Sequence, residues 1–148
     1  MRFIKVYIHF VWSTKNRYPF LDTLQKRESV WNHIKDNNRK KGIFIDSING
    51  FSDHCHCLVS LGIEQTIGNV MHQIKGESSH WINKQGICER KFAWQDDYYA
   101  ASVGTNDLHP ARQYIWDQEK HHTKKTFQQE SVKFIRKFGL KKLPDPSW

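Results

Sequence analysis

The sequence has too few cysteines for a disulfide framework and no apolar run long enough to cross a membrane. It has three cysteines, an odd number, and Cys55 and Cys57 lie too close along one segment to bridge easily. No apolar run approaches membrane-spanning length, and the first residues carry no signal-peptide pattern. The sequence therefore predicts a protein of a reducing, cytoplasmic compartment with no membrane partner.

Glycine patterns that cradle nucleotides are also missing. Neither a P-loop nor a dinucleotide-type glycine repeat occurs, so no nucleotide cofactor is expected. Acidic residues are outnumbered, since 15 Asp and Glu face 23 Lys and Arg, and the net charge of +8 is spread along the chain. Such a balance can serve solubility alone, but it favours a polyanionic partner. The 14% aromatic content also offers rings that stack on unpaired bases.

The order of predicted elements indicates one α+β domain over residues 1–148. The predicted strands span residues 3–12, 43–48, 54–61 and 94–103, and the predicted helices run from Asp22 or Thr23 to Gly42 and from Thr66 to Gly86. Asn49-Gly50 predicts the hairpin turn between the second and third strands. This order is the split βαβ pattern of a ferredoxin-like antiparallel sheet, with both helices on one face and the other face free for a ligand.

Two further helices follow the predicted sheet. Asn106 or Asp107 caps a helix that carries Tyr114 and Gln118, and a capping-box pattern at residues 126–129 starts a last helix. We therefore divide the domain into a ferredoxin-like core (1–104), a tyrosine helix (105–122) and a C-terminal helical extension (123–148). We expect the extension to pack as a stabilising element rather than to bind a nucleic acid.

A His-x-His pair in the third predicted strand is the main candidate for chemistry. Side chains alternate between the faces of a strand, so His54 and His56 point one way and Cys55 and Cys57 the other. With nine histidines in the chain, such a pair arises easily by chance, so it needs a third ligand before it indicates a metal site. A zinc site that uses all four side chains is sterically disfavoured by the alternation.

Tyr114 and Gln118 are four residues apart and share one face of a predicted helix. If that face meets the histidine pair, two imidazoles and an amide oxygen form a neutral site. Such a site suits a divalent cation, Mg²⁺ or Mn²⁺, that also binds a phosphate oxygen. Tyr114 beside it becomes a nucleophile whose product is a covalent phosphotyrosine. The alternative is that His54 and His56 are ordinary core or surface histidines and that Tyr114 is a packing residue.

Several segments together resemble one known family. They are the His54-x-His56 pair, the Tyr114-x-x-x-Gln118 helix, residues 9–17, residues 74–79 and the Trp94-Gln95 pair. In this order they resemble the single-tyrosine HUH transposases of the IS200/IS605 insertion-sequence group and their repeat-associated relatives, over nearly the whole chain. One departure is Cys55, where the family usually has a larger aliphatic residue.

The resemblance implies a ferredoxin-like domain that binds DNA hairpins as a homodimer and cuts and rejoins single-stranded DNA, at the nucleoid when it acts. It implies that His54, His56 and Gln118 hold the metal, and that Tyr114 takes the 5′-phosphate and frees a 3′-hydroxyl. In that family the tyrosine helix often completes the partner subunit's site, so cis and trans arrangements both stay open here.

Other assignments remain open. Candidate phosphate contacts, each equally well explained as a solvated surface charge, are Lys15, Arg17, Lys75 and Arg112. A domesticated HUH nickase that processes repeats would carry the same residues as a transposase. A non-catalytic nucleic-acid-binding module would instead use exposed aromatic rings on the ferredoxin-like sheet, although the ring-bearing strand motif of RNA-recognition modules is missing.

Overall fold

The helices and strands follow local sequence signals. The computed structural model describes residues 2–121 and 126–140, with the elements β1 (Tyr7–Ser13), α1 (Leu24–Lys40), β2 (Phe44–Phe51), β3 (His54–Ser60), α2 (Ile67–Gln85), β4 (Tyr99–Val103), α3 (Leu108–Trp116), α4 (Gln118–His121) and α5 (Phe127–Phe138). Thr23, Thr66 and Thr126 cap α1, α2 and α5 by accepting a hydrogen bond from a backbone N–H three residues later. Among these helices, none is long and apolar enough to span a membrane.

The strands form a four-stranded antiparallel sheet in the order β2-β3-β1-β4. β3 lies between β1 and β2, which α1 connects, so this connection is a split βαβ unit. The register of β1 on β3 pairs Val11 with His56 and Ser13 with His54. The predicted α+β, ferredoxin-like class is confirmed.

Alternation along β1 and β3 fixes which residues face the core. Phe10, Trp12, Cys55 and Cys57 are buried with apolar residues of α1 and α2. Fully burying a side chain such as Phe contributes about 1.5–3 kcal/mol. A one-residue slip of β3 would move its histidines into this layer, so the core dictates the face on which they emerge.

The opposite face of the sheet is covered, and the prediction of a free face is wrong. α3 packs on Leu58 through Leu108, and α5 packs on Val11 through Phe127. The physical reason is that α3 and α5 are amphipathic, so each buries its apolar face against this side of the sheet. The predicted boundary at residues 122–123, like residues 141–148, lies outside the described residues, so the division into three segments stays a prediction.

Three strand ends differ from the predicted ones. β1 begins at Tyr7 rather than at residue 3, because its register on both neighbouring strands begins there. β4 begins at Tyr99, and the chain before it joins the sheet through an isolated bridge between Trp94 and Thr14. The hairpin turn lies at residues 52–53, while Gly50 lies inside β2, where a Cβ would collide with the backbone oxygen of His54.

Candidate metal and nucleophile site

β3 presents His54 and His56 on the face that α3, α4 and α5 cover, and both are fully buried. Cys55 and Cys57 lie on the opposite face, in the core beneath α1 and α2. Burial raises the pKa of both thiols, so they remain protonated at neutral pH. This geometry rules out a single site that joins both histidines and both cysteines.

Each of these histidines is oriented by a contact at its Nδ1 atom. Asp53 Oδ1 lies 2.9 Å from His54 Nδ1, and His9 Nε2 lies 2.9 Å from His56 Nδ1. The Nε2 atoms are thereby left to face the site, which is how neighbours of metal-binding histidines fix their orientation. Burial, with a smaller effect of His56, lowers the pKa of His9 well below its ordinary value, so His9 is neutral near pH 7.

Gln118 reaches His54 across a break in the helix. α3 ends at Trp116 and α4 begins at Gln118, so Tyr114 and Gln118 are not on one continuous helix as predicted. Gln118 Oε1 nevertheless lies 3.1 Å from His54 Nε2, and Gln118 Nε2 donates to the backbone oxygen of Tyr114 at 3.3 Å. This bond holds the amide oxygen toward the histidine pair.

A carboxylate absent from the predicted set completes the cluster. Glu130 on α5 places Oε1 2.5 Å from His56 Nε2 and Oε2 3.7 Å from His54 Nε2. Only 5% of Glu130 is exposed, and a carboxylate so buried requires charged or hydrogen-bonding neighbours. His54, His56 and Glu130 form a buried group that could hold a metal ion, since their ligand atoms lie within 4.8 Å of one another.

Tyr114 lies beside this group. Its hydroxyl donates a hydrogen bond of 2.6 Å to Glu130 Oε1, and its ring centroid lies 5.5 Å from that of His56. Burial raises the pKa of Tyr114, and the negative charge of Glu130 raises it further, so the phenol keeps its proton. A cavity of about 470 Å³ opens beside it, with Lys133 and Lys137 in its lining.

α5 shields the histidines from solvent. The ring of Phe127 stacks on His54 with centroids 4.5 Å apart, and Phe134 lies edge-on to His9 at 5.2 Å. The prediction that this helix only stabilises the domain is therefore incomplete, because it also supplies Glu130 to the cluster.

The four predicted phosphate contacts fall into two groups. Lys15 and Arg17 are exposed in the turn after β1, and Lys75 Nζ donates to Asp96 O at 2.8 Å while lying 5.7 Å from the Tyr98 ring centroid. Arg112 instead forms a bidentate pair with Asp46, at 2.9 and 2.8 Å. Their contact with DNA stays a prediction.

Three residues of the site were missed, and their signals differ. His9 has a usable signal, because the alternation of a strand that pairs with β3 places it on the histidine face. Asp53 precedes His54 directly, and a carboxylate is one of the usual partners of a ligand histidine. Glu130 has none, since a capping box sets where α5 begins but not which surface it covers.

The sequence comparison decides the family. The family model described as "Transposase IS200 like" matches residues 2–118. The chain belongs to the IS200-like transposase family. The matched range includes Tyr114 and both histidines and ends at Gln118, so Glu130 and α5 of this transposase lie beyond it.

Two solved structures share the fold of this IS200-like transposase. A candidate transposase from Deinococcus radiodurans R1 is 19% identical, with a TM-score of 0.63 over 79% of this chain and 93% of that one. A REP-associated tyrosine transposase bound to a REP hairpin is 20% identical, with a TM-score of 0.61 over 82% of this chain and 72% of that one. Among curated proteins, none matches the chain significantly. At these identities the likeness establishes the fold alone.

Proposed function

We propose that this IS200-like transposase is a metal-dependent single-tyrosine HUH enzyme that cuts and rejoins single-stranded DNA through a 5′-phosphotyrosine intermediate. The observation that carries the proposal is the position of the Tyr114 hydroxyl. This hydroxyl donates a hydrogen bond to Glu130, whose carboxylate in turn contacts both His54 and His56. A nucleophile and a set of metal-type ligands thus meet in one buried site.

The residues present fit a divalent cation. Two imidazole nitrogens, the Gln118 amide oxygen and the Glu130 carboxylate are the donor types that Mn²⁺ accepts, and the oxygens suit Mg²⁺. We assign His54, His56 and Gln118 as ligands, with Glu130 as an additional anionic one. A cation held there would polarise a phosphate oxygen and position the scissile phosphate.

Tyr114 supplies the covalent step. Its phenolic oxygen forms a bond to phosphorus while the bond from phosphorus to the 3′-oxygen breaks, which leaves a 5′-phosphotyrosine and a free 3′-hydroxyl. The phenol proton moves to Glu130 Oε1, which already accepts its hydrogen bond, and the leaving 3′-oxygen takes a proton from solvent. Attack of a 3′-hydroxyl on the phosphotyrosine reverses the step and rejoins the strand.

We further propose that the substrate has hairpin ends, because the similar REP-associated transposase is bound to a REP hairpin. The cavity beside Tyr114 is the route for the scissile phosphate, and Lys133 and Lys137 in its lining attract the backbone. Lys15 and Arg17 in the turn after β1, and Lys75 on α2, are further proposed phosphate contacts.

The assembly we propose is a homodimer with each tyrosine acting in cis. The support for the cis arrangement is that Tyr114 contacts His56 and Glu130 of its own chain. The non-catalytic alternative is less favoured, because it needs aromatic rings exposed on the sheet face, and α3 and α5 cover that face. A domesticated nickase would use the same residues and chemistry, so we keep it as a variant of this proposal.

The test is formation of a covalent adduct with labelled, single-stranded hairpin DNA in the presence of Mg²⁺ or Mn²⁺. The wild-type protein should yield a labelled band that survives denaturing electrophoresis, and Tyr114→Phe should yield none. Tyr18→Phe removes a hydroxyl from an exposed tyrosine outside the site and should leave the band unchanged. An equal band with Tyr114→Phe would show that the nucleophile is wrong.

A further inference from the structure

Residues 13–17, the later part of the first segment that marks the family in sequence, meet the Trp94-Gln95 pair in space, and neither group supplies a side chain to the site above. Thr14 pairs with Trp94 in an isolated bridge, and Gln95 N donates to Ser13 O at 2.9 Å. The Gln95 side chain in turn accepts a hydrogen bond from Asn16 N at 3.2 Å. The early segment and the Trp94-Gln95 pair therefore form one hydrogen-bonded unit beside the sheet.

The turn in this unit holds an unfavourable backbone conformation. Asn16 and Arg17 have φ of 56° and 54°, two consecutive residues other than glycine in the left-handed region. Thr14, which is fully buried, braces the turn by donating from Oγ1 to Tyr18 O at 2.7 Å. Strain that is held in place in this way concentrates at ligand sites, because it fixes side chains in otherwise rare directions.

Asn16 and Arg17 line a cavity of about 520 Å³, which we call the Asn16 cavity. Its walls are the turn with Asn16 and Arg17, the segment with Gln95, Asp97 and Tyr98, and one side of α5. The polar groups include the amides of Asn16 and Gln95, the Asp97 carboxylate and the Arg17 guanidinium. The charges of Arg17 and Asp97 offset each other, so the cavity carries no net positive charge that would select a phosphate, and Arg17 remains available to the backbone at the cavity's edge. A nucleobase, by contrast, presents a flat face to an aromatic ring and a hydrogen-bonding edge to amides and carboxylates.

The Asn16 cavity adjoins the metal and nucleophile site. Val11 and Ser13 contribute to its lining, and they are the register partners of His56 and His54 on β3. Phe127 lines the cavity as well, and the same ring stacks on His54. A base in this cavity would therefore be separated from His54 by one side chain.

We propose that the Asn16 cavity is a subsite for one unpaired nucleobase with an exocyclic amino group, on the DNA strand that Tyr114 cuts. Asp97 accepts from the amino group, the Asn16 and Gln95 amides bond the remaining edge, and Tyr98 stacks on the ring. Lys75 lies near the Tyr98 ring, and its positive charge partly offsets the negative charge of Asp97. This assignment rests on the proposed function, since it presupposes a single-stranded DNA substrate.

The experiment measures binding of fluorescent octadeoxynucleotides to the Tyr114→Phe protein in EDTA, so that neither cleavage nor metal contributes. Oligo-dC and oligo-dU differ only in the amino or keto group at ring position 4 and in the adjacent ring nitrogen. We expect oligo-dC to bind about tenfold more tightly than oligo-dU, the lower part of the range for a hydrogen-bonded base edge. A chain of abasic sugar phosphates should bind more weakly than either.

Two variants test which side chains are responsible. Asp97→Asn should abolish the preference for oligo-dC, while Asp36→Asn, on α1 across the sheet, should leave it unchanged. Asn16→Gly removes the side chain while permitting the left-handed backbone, so it should reduce the preference without lowering the unfolding temperature.

Equal affinities of the wild-type cavity for oligo-dC and oligo-dU, or an undiminished preference in Asp97→Asn and Asn16→Gly, would overturn the proposal. So would equal binding of the abasic chain. Because the assay needs neither Tyr114 nor metal, its outcome is separate from that of the covalent-adduct test.

Discussion

The Tyr114 hydroxyl donates a 2.6 Å hydrogen bond to Glu130, a residue beyond the Gln118 at which the family match ends. The same carboxylate contacts His56 at 2.5 Å, so one side chain joins the proposed nucleophile to the proposed metal ligands. α5 is thus part of the site rather than an addition to it. This relationship leads to the first prediction.

Glu130→Gln keeps the shape of the side chain and removes its charge. We expect the initial rate of adduct formation to fall about 100-fold or more, the usual loss when a positioned proton acceptor is removed. In metal-free protein the pKa of Tyr114 should fall, because the negative charge of Glu130 contributes to raising it. Titration by NMR of ring-labelled tyrosine measures this shift. An unchanged rate together with an unchanged titration would contradict the role of Glu130.

Metal binding should stabilise the fold, since the unfolded chain has no assembled site. At a free Mn²⁺ concentration 100 times its dissociation constant, the free energy of unfolding should rise by about 2.7 kcal/mol. For a chain of this size that is a rise of several degrees in the unfolding temperature, reversed by EDTA. His56→Ala should abolish the rise and Cys57→Ala should retain it. If Cys57→Ala abolished the rise and His56→Ala retained it, the metal would be bound by the Cys57 thiolate rather than by the histidines.

Lys133 and Lys137 line the cavity beside Tyr114 and should contact the DNA backbone. Replacing either by Ala should reduce the slope of log affinity against log salt concentration by about 0.7, the value for one phosphate of a single strand. Lys40→Ala, on the opposite side of the sheet, is the matched control and should have no such effect. If the Lys133, Lys137 and Lys40 variants all kept the wild-type salt dependence, the DNA backbone would not pass through this cavity.

Arg112 should act on stability rather than on DNA affinity. Burial alone would raise the pKa of Asp46, but hydrogen bonds from Arg112 and Ser47 outweigh it and hold the pKa below its ordinary value of 3.8. The unfolded state therefore binds the proton first as pH falls. The stabilisation is present above pH 3.8 and is lost as pH falls through the lowered value. Arg112→Ala should thus unfold at lower urea than wild type at pH 7, with the difference shrinking in acid. A loss of hairpin affinity at unchanged stability would instead support a phosphate contact.

The residues that strands and helices place locally could be predicted from the sequence, but the residue that α5 brings to the site could not. Strand alternation is enough to place His54 and His56 opposite Cys55 and Cys57, because side chains on a strand have a period of two. The spacing of Tyr114 and Gln118 brings them together even though the helix breaks between them. The position of Glu130 depends on how α5 packs on the sheet, and no periodic pattern in the sequence shows which surface a helix packs against.

The turns were the least predictable elements. Asn49-Gly50 is a typical hairpin signal, but here Gly50 is needed inside β2 for close approach to the backbone of His54. The left-handed Asn16 and Arg17 are held by Thr14 and Gln95, the latter far away in sequence. Such conformations depend on contacts that form only after the chain has folded.

The central claim is that Tyr114 becomes covalently attached to DNA, and peptide mapping tests it most directly. The wild-type protein is incubated with hairpin DNA and Mn²⁺, then digested with trypsin and with a nuclease that leaves a short nucleotide remnant. Cleavage after Arg112 and Lys120 releases residues 113–120, in which Tyr114 is the one tyrosine. The account predicts that mass spectrometry finds the nucleotide on Tyr114 of this peptide. A nucleotide found on another residue, or an unmodified 113–120 peptide in protein that has cut the DNA, would contradict it.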